Sequence, residues 1–282
     1  VTDPAWVALS LCKHLGGKTF DALLNHFDHN LYAILYADAE ELRQVKGVGK
    51  KIAQAIESVD LEQTRLDIRR WKSDGVEIIP YNDERYPARL RHLDDYPPTL
   101  FVRGAIPDGS QHKTFAIVGT RAPAPESCEI AELISVQLAA RGHLIVSGLA
   151  FGVDSIAHRG ALSVAQGKTA AVLGSGVLNI YPPKHHELAQ AIMARGAIIS
   201  EVKPDSAVSA PGLVARNRII AGLSDSVIII QTELDGGAMH TTRFARQQGK
   251  PIYVVDHPAS GNQQLLLDGA IVISRDLREL FK

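Results

Sequence analysis

Residues 215–251 read ARNRIIAGLSDSVIIIQTELDGGAMHTTRFARQQGKP, and this stretch decides the fold. It opens on a basic, amide-bearing knot of Arg216, Asn217 and Arg218 and passes through a short helix-like run into the apolar run 227–230. A polar turn with Asp235, Gly236 and Gly237 follows, and helical spacing then runs from 238 to 248, with Thr241 in its first turns. A buried strand feeding a glycine turn that opens a helix is how open α/β sheets build anion sites. Turn amides and the helix N-terminus point donors at one place. With arginines brought in from the preceding segment, the pattern points to a phosphate-bearing ligand, nucleic acid and nucleotide both remaining open.

Working outward, 115–118, 143–146, 169–173, 197–199, 252–255 and 270–273 are further apolar runs of strand length, separated by helical patterns. Strands that alternate with helices and are apolar throughout predict a doubly wound, mostly parallel sheet covered on both faces. Most of the glycine turns sit at the carboxyl ends of these strands: Gly119-Thr120-Arg121, Ser147-Gly148 through Gly152, Gly174-Ser175-Gly176 and Gly236-Gly237. None completes G-x-G-x-x-G, and no Walker lysine loop is present, so no nucleotide cofactor is expected. Short strands at 76–79 and 99–103 precede this block, and 105–113 is a connection.

Residues 1–70 read instead as amphipathic helices, with apolar spacings of three and four through Trp6, Leu9, Phe20, Leu24 and Phe27. Within them, 42–56 (LRQVKGVGKKIAQAI) has the form of a helix-hairpin-helix. Gly47 and Gly49 make a tight turn whose amides can approach a DNA phosphate, with Lys50 and its neighbours Lys46 and Lys51 adding charge. The same pattern also serves a purely structural helical hairpin. The expected division is a helical domain, helix-hairpin-helix or SAM-like, over 1–70 and an extended Rossmann-like domain over 71–282.

Composition narrows the ligand classes. The 282 residues include 45% hydrophobic and 22% charged side chains, with a net charge of −1, so a nucleic-acid surface must be a local patch. Two cysteines exclude a disulfide framework and fit a reducing compartment. No apolar run reaches the ~20 residues of a membrane span. His158 and the His185-His186 pair lack a third grouped ligand, so no metal site is expected.

The ordered blocks VGTR (118–121), SGLAFGVDSIAH (147–158), LGSG with YP (173–182), SE (200–201), RNRIIAGLSD (216–225) and GGA (236–238) resemble the DNA-processing protein A family, also called DprA or Smf. The resemblance implies a Rossmann-like, non-enzymatic domain that binds single-stranded DNA, dimerises, and loads the RecA recombinase on incoming DNA in the cytoplasm during natural transformation. It implies phosphate contact by Arg121 and a pocket lined by the segment before Arg216. On this reading the contact set is Gly119, Thr120, Arg121, Ser147, Gly148, Gly152, Arg216, Asn217, Arg218, Gly236, Gly237 and Thr241. Lys184, after Tyr181-Pro182, joins it by position.

Three departures from the family pattern fall in or beside the opening stretch. Leu213 stands where an aromatic is usual, Gln231 replaces a glutamate and Gly236 a serine. Base stacking is therefore not expected at position 213. A competing class is a nucleotide-binding enzyme related to nucleoside-monophosphate phosphoribohydrolases, with Glu233 or Asp235 stabilising a sugar cation. The apolar run 265–267 is the expected dimer surface.

Overall fold

The computed structural model describes residues 2–107 and 112–281, so the connection at 105–113 lies partly outside the described residues. The chain forms two compact units. The smaller is Val1–Phe101 with Glu201–Pro204, and the larger is Val102–Ser200 with Asp205–Lys282.

The smaller unit carries α1 (Pro4–Ser10), α2 (Gly17–His26), α3 (Leu31–Tyr36), α4 (Ala39–Leu42), α5 (Lys50–Glu57) and α6 (Leu61–Ser73). Strand β1 (Glu77–Pro80) follows, and β2 (Thr99–Gly104) carries the chain out of the unit. Helix starts are set locally. The carboxylates of Asp3, Asp38 and Asp60 and the amide of Asn30 each accept from first-turn backbone N–H groups, a device worth roughly 1 kcal/mol per helix. Trp6, Leu9, Phe20, Leu23, Ile34, Leu42, Ile52 and Ile56 pack into one core, with the Trp6 and Phe20 rings 4.8 Å apart. The expected hairpin is present. Gly47 takes φ +93°, Val45 and Val48 point into the core, and Gly49 in extended conformation opens α5. Lys46, Lys50 and Lys51 are left exposed. Helical structure ends at Ser73, close to the expected change of pattern, while the compact unit runs on to Phe101.

In the larger unit the elements are β3 (Thr114–Val118), α7 (Pro125–Ala140), β4 (Leu144–Ser147), α8 (Val153–Ser163), β5 (Thr169–Val172), α9 (His186–Arg195), β6 (Ala197–Ser200) and α10 (Ala210–Ala215). They continue as α11 (Asn217–Leu223), β7 (Ser226–Ile229), α12 (Ala238–Gln247), β8 (Ile252–Val254), α13 (Ser260–Leu267) and β9 (Ile271–Val272). These strands pair in the order β6-β5-β4-β3-β7-β8-β9, all parallel, with Ala116 of β3 between Val146 and Val227. Every residue of β3 through β7 is buried, which is why these strands read as unbroken apolar runs.

Helices α7, α8 and α9 cover one face and α11 and α12 the other. Right-handed crossovers force this: the chain winds one way from β3 and returns to the opposite side at β7. Strand order therefore reverses beside β3, and the carboxyl ends of β3, β4 and β5 border the crevice where open α/β sheets bind ligands.

Candidate nucleic-acid interface

At those strand ends lies a small concavity lined by Arg121, Gly148, Ala150, Phe151, Gly174, Ser175, Tyr181, Pro182, Leu213 and Arg216. Three strand-end turns and α10 supply this lining. The turn after β3 is bracketed on both sides. Thr120 donates its N–H to the Gln231 carbonyl at 2.7 Å, and its own carbonyl accepts from Val153 N at 3.2 Å. The Gln231 side chain accepts from Ala124 N at 2.8 Å, a bond that a glutamate would accept equally. Gly152, at φ +71°, lets the turn come this close, since a Cβ there would lie 2.4 Å from the Thr120 carbonyl oxygen. The Arg121 side chain is left exposed at the mouth.

Arg216 is used differently from the expected phosphate contact. Its guanidinium is buried and donates to the carbonyls of Gly148 and Val172, the latter at 2.8 Å. Its Nη2 lies 3.9 Å from Asp154 Oδ2, which also accepts from Gly148 N at 3.1 Å and Ala150 N at 3.3 Å. Burial lowers the pKa of Arg216 and raises that of Asp154, and in each case the partner's charge counters the shift. Gly148 is the residue that makes room: any Cβ there would sit 2.3–2.5 Å from the guanidinium. Arg216 is thus a strut joining the ends of β4 and β5, and it shows the pocket only an edge.

The remaining candidates separate by place. Ser147 is buried beneath the floor, its hydroxyl donating to the Ile117 carbonyl at 2.7 Å. Asn217 and Arg218 are buried in the first turn of α11. The Arg218 carbonyl accepts from Gln248 Nε2 at 3.0 Å, which ties α11 to the end of α12. Lys184 is exposed in a single 3-10 turn that follows the cis Tyr181–Pro182 bond.

Gly236, Gly237 and Thr241 sit at the start of α12 and do not line the pocket. Their turn is acidic and tied to α13. Glu233 accepts from the N–H of Ser260 at 3.0 Å and from its hydroxyl, which holds the Glu233 carboxyl below its usual pKa. Buried Asn262 accepts from Thr232 N at 2.7 Å and donates to the Ile230 and Val255 carbonyls, both at 2.9 Å. Gly47, Gly49 and Lys50 belong to the smaller unit.

Both aromatic residues of the pocket were absent from the candidates. Phe151 is 42% exposed and Tyr181 38% exposed, so aromatic surface is supplied here even though Leu213 occupies the usual aromatic position. The signal was an aromatic inside a turn bounded by Gly148 and Gly152, a place with no room to bury a large ring. His158 is held inside the fold. His158 Nδ1 lies 2.7 Å from Thr169 Oγ1, whose hydroxyl donates to the Ile145 carbonyl, so His158 is the donor in that pair. Burial lowers its pKa to about 3. Among the described residues no group of three or more His, Cys, Asp or Glu is placed to hold a metal, and no helix is long and apolar enough to cross a membrane.

Comparison with known proteins places the fold and the family. A helix-hairpin-helix motif matches residues 5–60. Protein Smf of Escherichia coli K12 is 34% identical over 243 residues, covering 78% of this chain and 64% of that protein. Protein Smf of Synechocystis is 32% identical over 280 residues, covering 95% and 69%. The chain therefore spans about two thirds of the length of these relatives. The solved DNA processing protein A of Streptococcus pneumoniae shares the fold with TM-score 0.81 at 24% identity, over 96% of this chain and 95% of that one. That of Helicobacter pylori, described for its single-stranded DNA binding mode, superposes with TM-score 0.66 at 32% identity, over 73% of this chain and 95% of that one. The model of the DNA recombination-mediator protein A family matches residues 77–282, and the chain belongs to that family.

Proposed function

We propose that this chain binds single-stranded DNA at the strand-end pocket, shields it, and passes it to the RecA recombinase as incoming DNA is recombined during transformation in the cytoplasm. The observation that carries the reading is the meeting of one exposed cation, Arg121, with two half-exposed rings, Phe151 and Tyr181, around a single concavity. Single-strand binders combine cationic contact to the backbone with aromatic platforms for unpaired bases, and that pairing is what the pocket offers. The guanidinium can grip phosphate through two parallel hydrogen bonds, and Lys184 extends the positive surface past Tyr181. The exposed lysines of the hairpin, with Gly47 and Gly49 at the turn, form a second DNA contact in this reading. The relative from Helicobacter pylori, named for single-stranded DNA binding, supports the ligand class.

The role is binding rather than catalysis. Glu233 and Asp235, on which a phosphoribohydrolase would rely, do not line the pocket, and Glu233 is engaged by Ser260. We place a homodimer contact around 265–267. Leu265 is buried, but Leu267 is 83% exposed, and Ile271 and Val272 of the neighbouring edge strand are exposed as well. Fluorescence anisotropy with oligo-dT from one to about 30 nucleotides tests the ligand. Affinity rising with length and exceeding that for duplex supports a polymer binder. Saturation by a mononucleotide, or base release from it, would replace the reading with the enzyme. Sedimentation at tens of micromolar tests the dimer.

A further inference from the structure

The turn from Gly148 to Phe151 holds a conformation its sequence does not favour. Leu149 has φ +61°, a region that costs a leucine about 1 kcal/mol or more and that persists only where surrounding contacts over-determine it. Asp154 takes the N–H groups on either side of Leu149, at Gly148 and Ala150. The Leu149 carbonyl is taken by His185, whose Nδ1–H donates to it at 2.8 Å. The same imidazole stands edge-on to the Phe151 ring, with centroids 4.8 Å apart and planes at 63°. His185 is buried at the end of the short segment that begins at Tyr181, so its side chain ties that segment to the turn that carries Phe151.

We propose that His185 is a positioning residue that fixes the strained turn and props Phe151 outward as a stacking surface before any ligand arrives. The inference rests on the single-strand reading above and assigns His185 no contact with DNA. A wall held in its bound geometry reduces the ordering cost of binding. Removing the prop therefore weakens recognition of bases and leaves the phosphate contacts alone.

The test compares His185→Ala with wild type on oligo-dT and on an oligomer of equal length made of abasic residues, by anisotropy across a salt series. Oligo-dT affinity should fall about tenfold, the scale of one lost base–aromatic stack. Affinity for the abasic oligomer and the slope of log affinity against log salt should stay unchanged. His185→Asn, whose amide can still donate to the Leu149 carbonyl, should recover much of the loss. Should His185→Ala fail to fold, a double-mutant cycle of His185→Leu, which fills the buried site but cannot donate to the Leu149 carbonyl, with Phe151→Ala decides: the two losses should be less than additive. Equal losses on both oligomers, no loss on oligo-dT, or additive losses in the cycle would overturn the proposal. Wild-type protein that ignores oligo-dT altogether would remove the single-strand reading itself and this inference with it.

Discussion

The two ends of the stretch 215–251 look alike as sequence and behave differently as structure. Both join polar groups to a helix start beside buried strands. At the first end, Arg216 braces the strand-end turns around the pocket to which α10 contributes Leu213. At the other, the turn before α12 carries Glu233 and Asp235 and is held by Ser260 and Asn262 of α13. A glycine turn at a helix start therefore need not line the pocket. What distinguishes the two is what the neighbouring elements bring: Arg121 and two aromatic rings on one side, carboxylates and an amide staple on the other.

That contrast breaks in measurable places. Asn262→Ala leaves three buried backbone groups unpaired and should destabilise the protein by about 4 kcal/mol in urea unfolding, with oligo-dT affinity of the folded fraction unchanged. Gly152→Ala forces an alanine to φ +71° with its Cβ against the Thr120 carbonyl. It should cost about 3 kcal/mol and weaken oligo-dT binding together with stability. Gly237→Ala is its counterpart at the second end. There a Cβ meets nothing within 4 Å and φ is already −57°, so the variant should gain ~0.5 kcal/mol and bind as wild type.

Arg121→Ala should weaken oligo-dT binding about tenfold and flatten the salt slope by ~0.7. An unchanged slope would move the phosphate contact elsewhere, with Lys184 the next position to test.

The smallest difference is one of pH. Burial raises the Asp154 pKa above 3.8, so its contribution to stability is full below that value and fades as pH rises through the folded pKa. The Glu233 pKa is lowered from 4.5, so its contribution is full above 4.5 and fades as pH falls through the folded pKa. On acidification from neutrality, NMR titration should show the Asp154 carboxyl taking its proton before Glu233 does. The reverse order would mean that the buried carboxylate is better paired with Arg216 than its burial indicates.

Much of the fold was legible because buried parallel strands leave continuous apolar runs, and most strand boundaries fall within a residue of those runs. The run at 270–273 shrinks to a two-residue strand at Ile271 and Val272, where the sheet edge leaves side chains exposed and the pairing ends. The site was legible only in part. Arg121 could be placed at a strand end, because the apolar run before it marks β3. Arg216 could not be told from a ligand contact, because only three dimensions show two carbonyls and a carboxylate converging on its guanidinium. Phe151 and Tyr181 gave no periodic signal, since each belongs to an irregular turn whose exposure depends on packing from other parts of the chain. Asn262 could not be singled out, because its three backbone partners are spread from Ile230 to Val255.

At Gly174 the end of β5 meets Gly212 of α10 main chain to main chain: a Cβ on Gly174 would lie 2.7 Å from Gly212 C and Leu213 N, and one on Gly212 would lie 2.5 Å from the Gly174 carbonyl oxygen. The frame of the opening is therefore set by two backbones and owes nothing to the side chain at 213. Such a frame is an interchangeable socket. An aromatic or aliphatic residue can be fitted at position 213 to retune what the opening accepts, while the depth and placement of the opening stay where the two glycines put them.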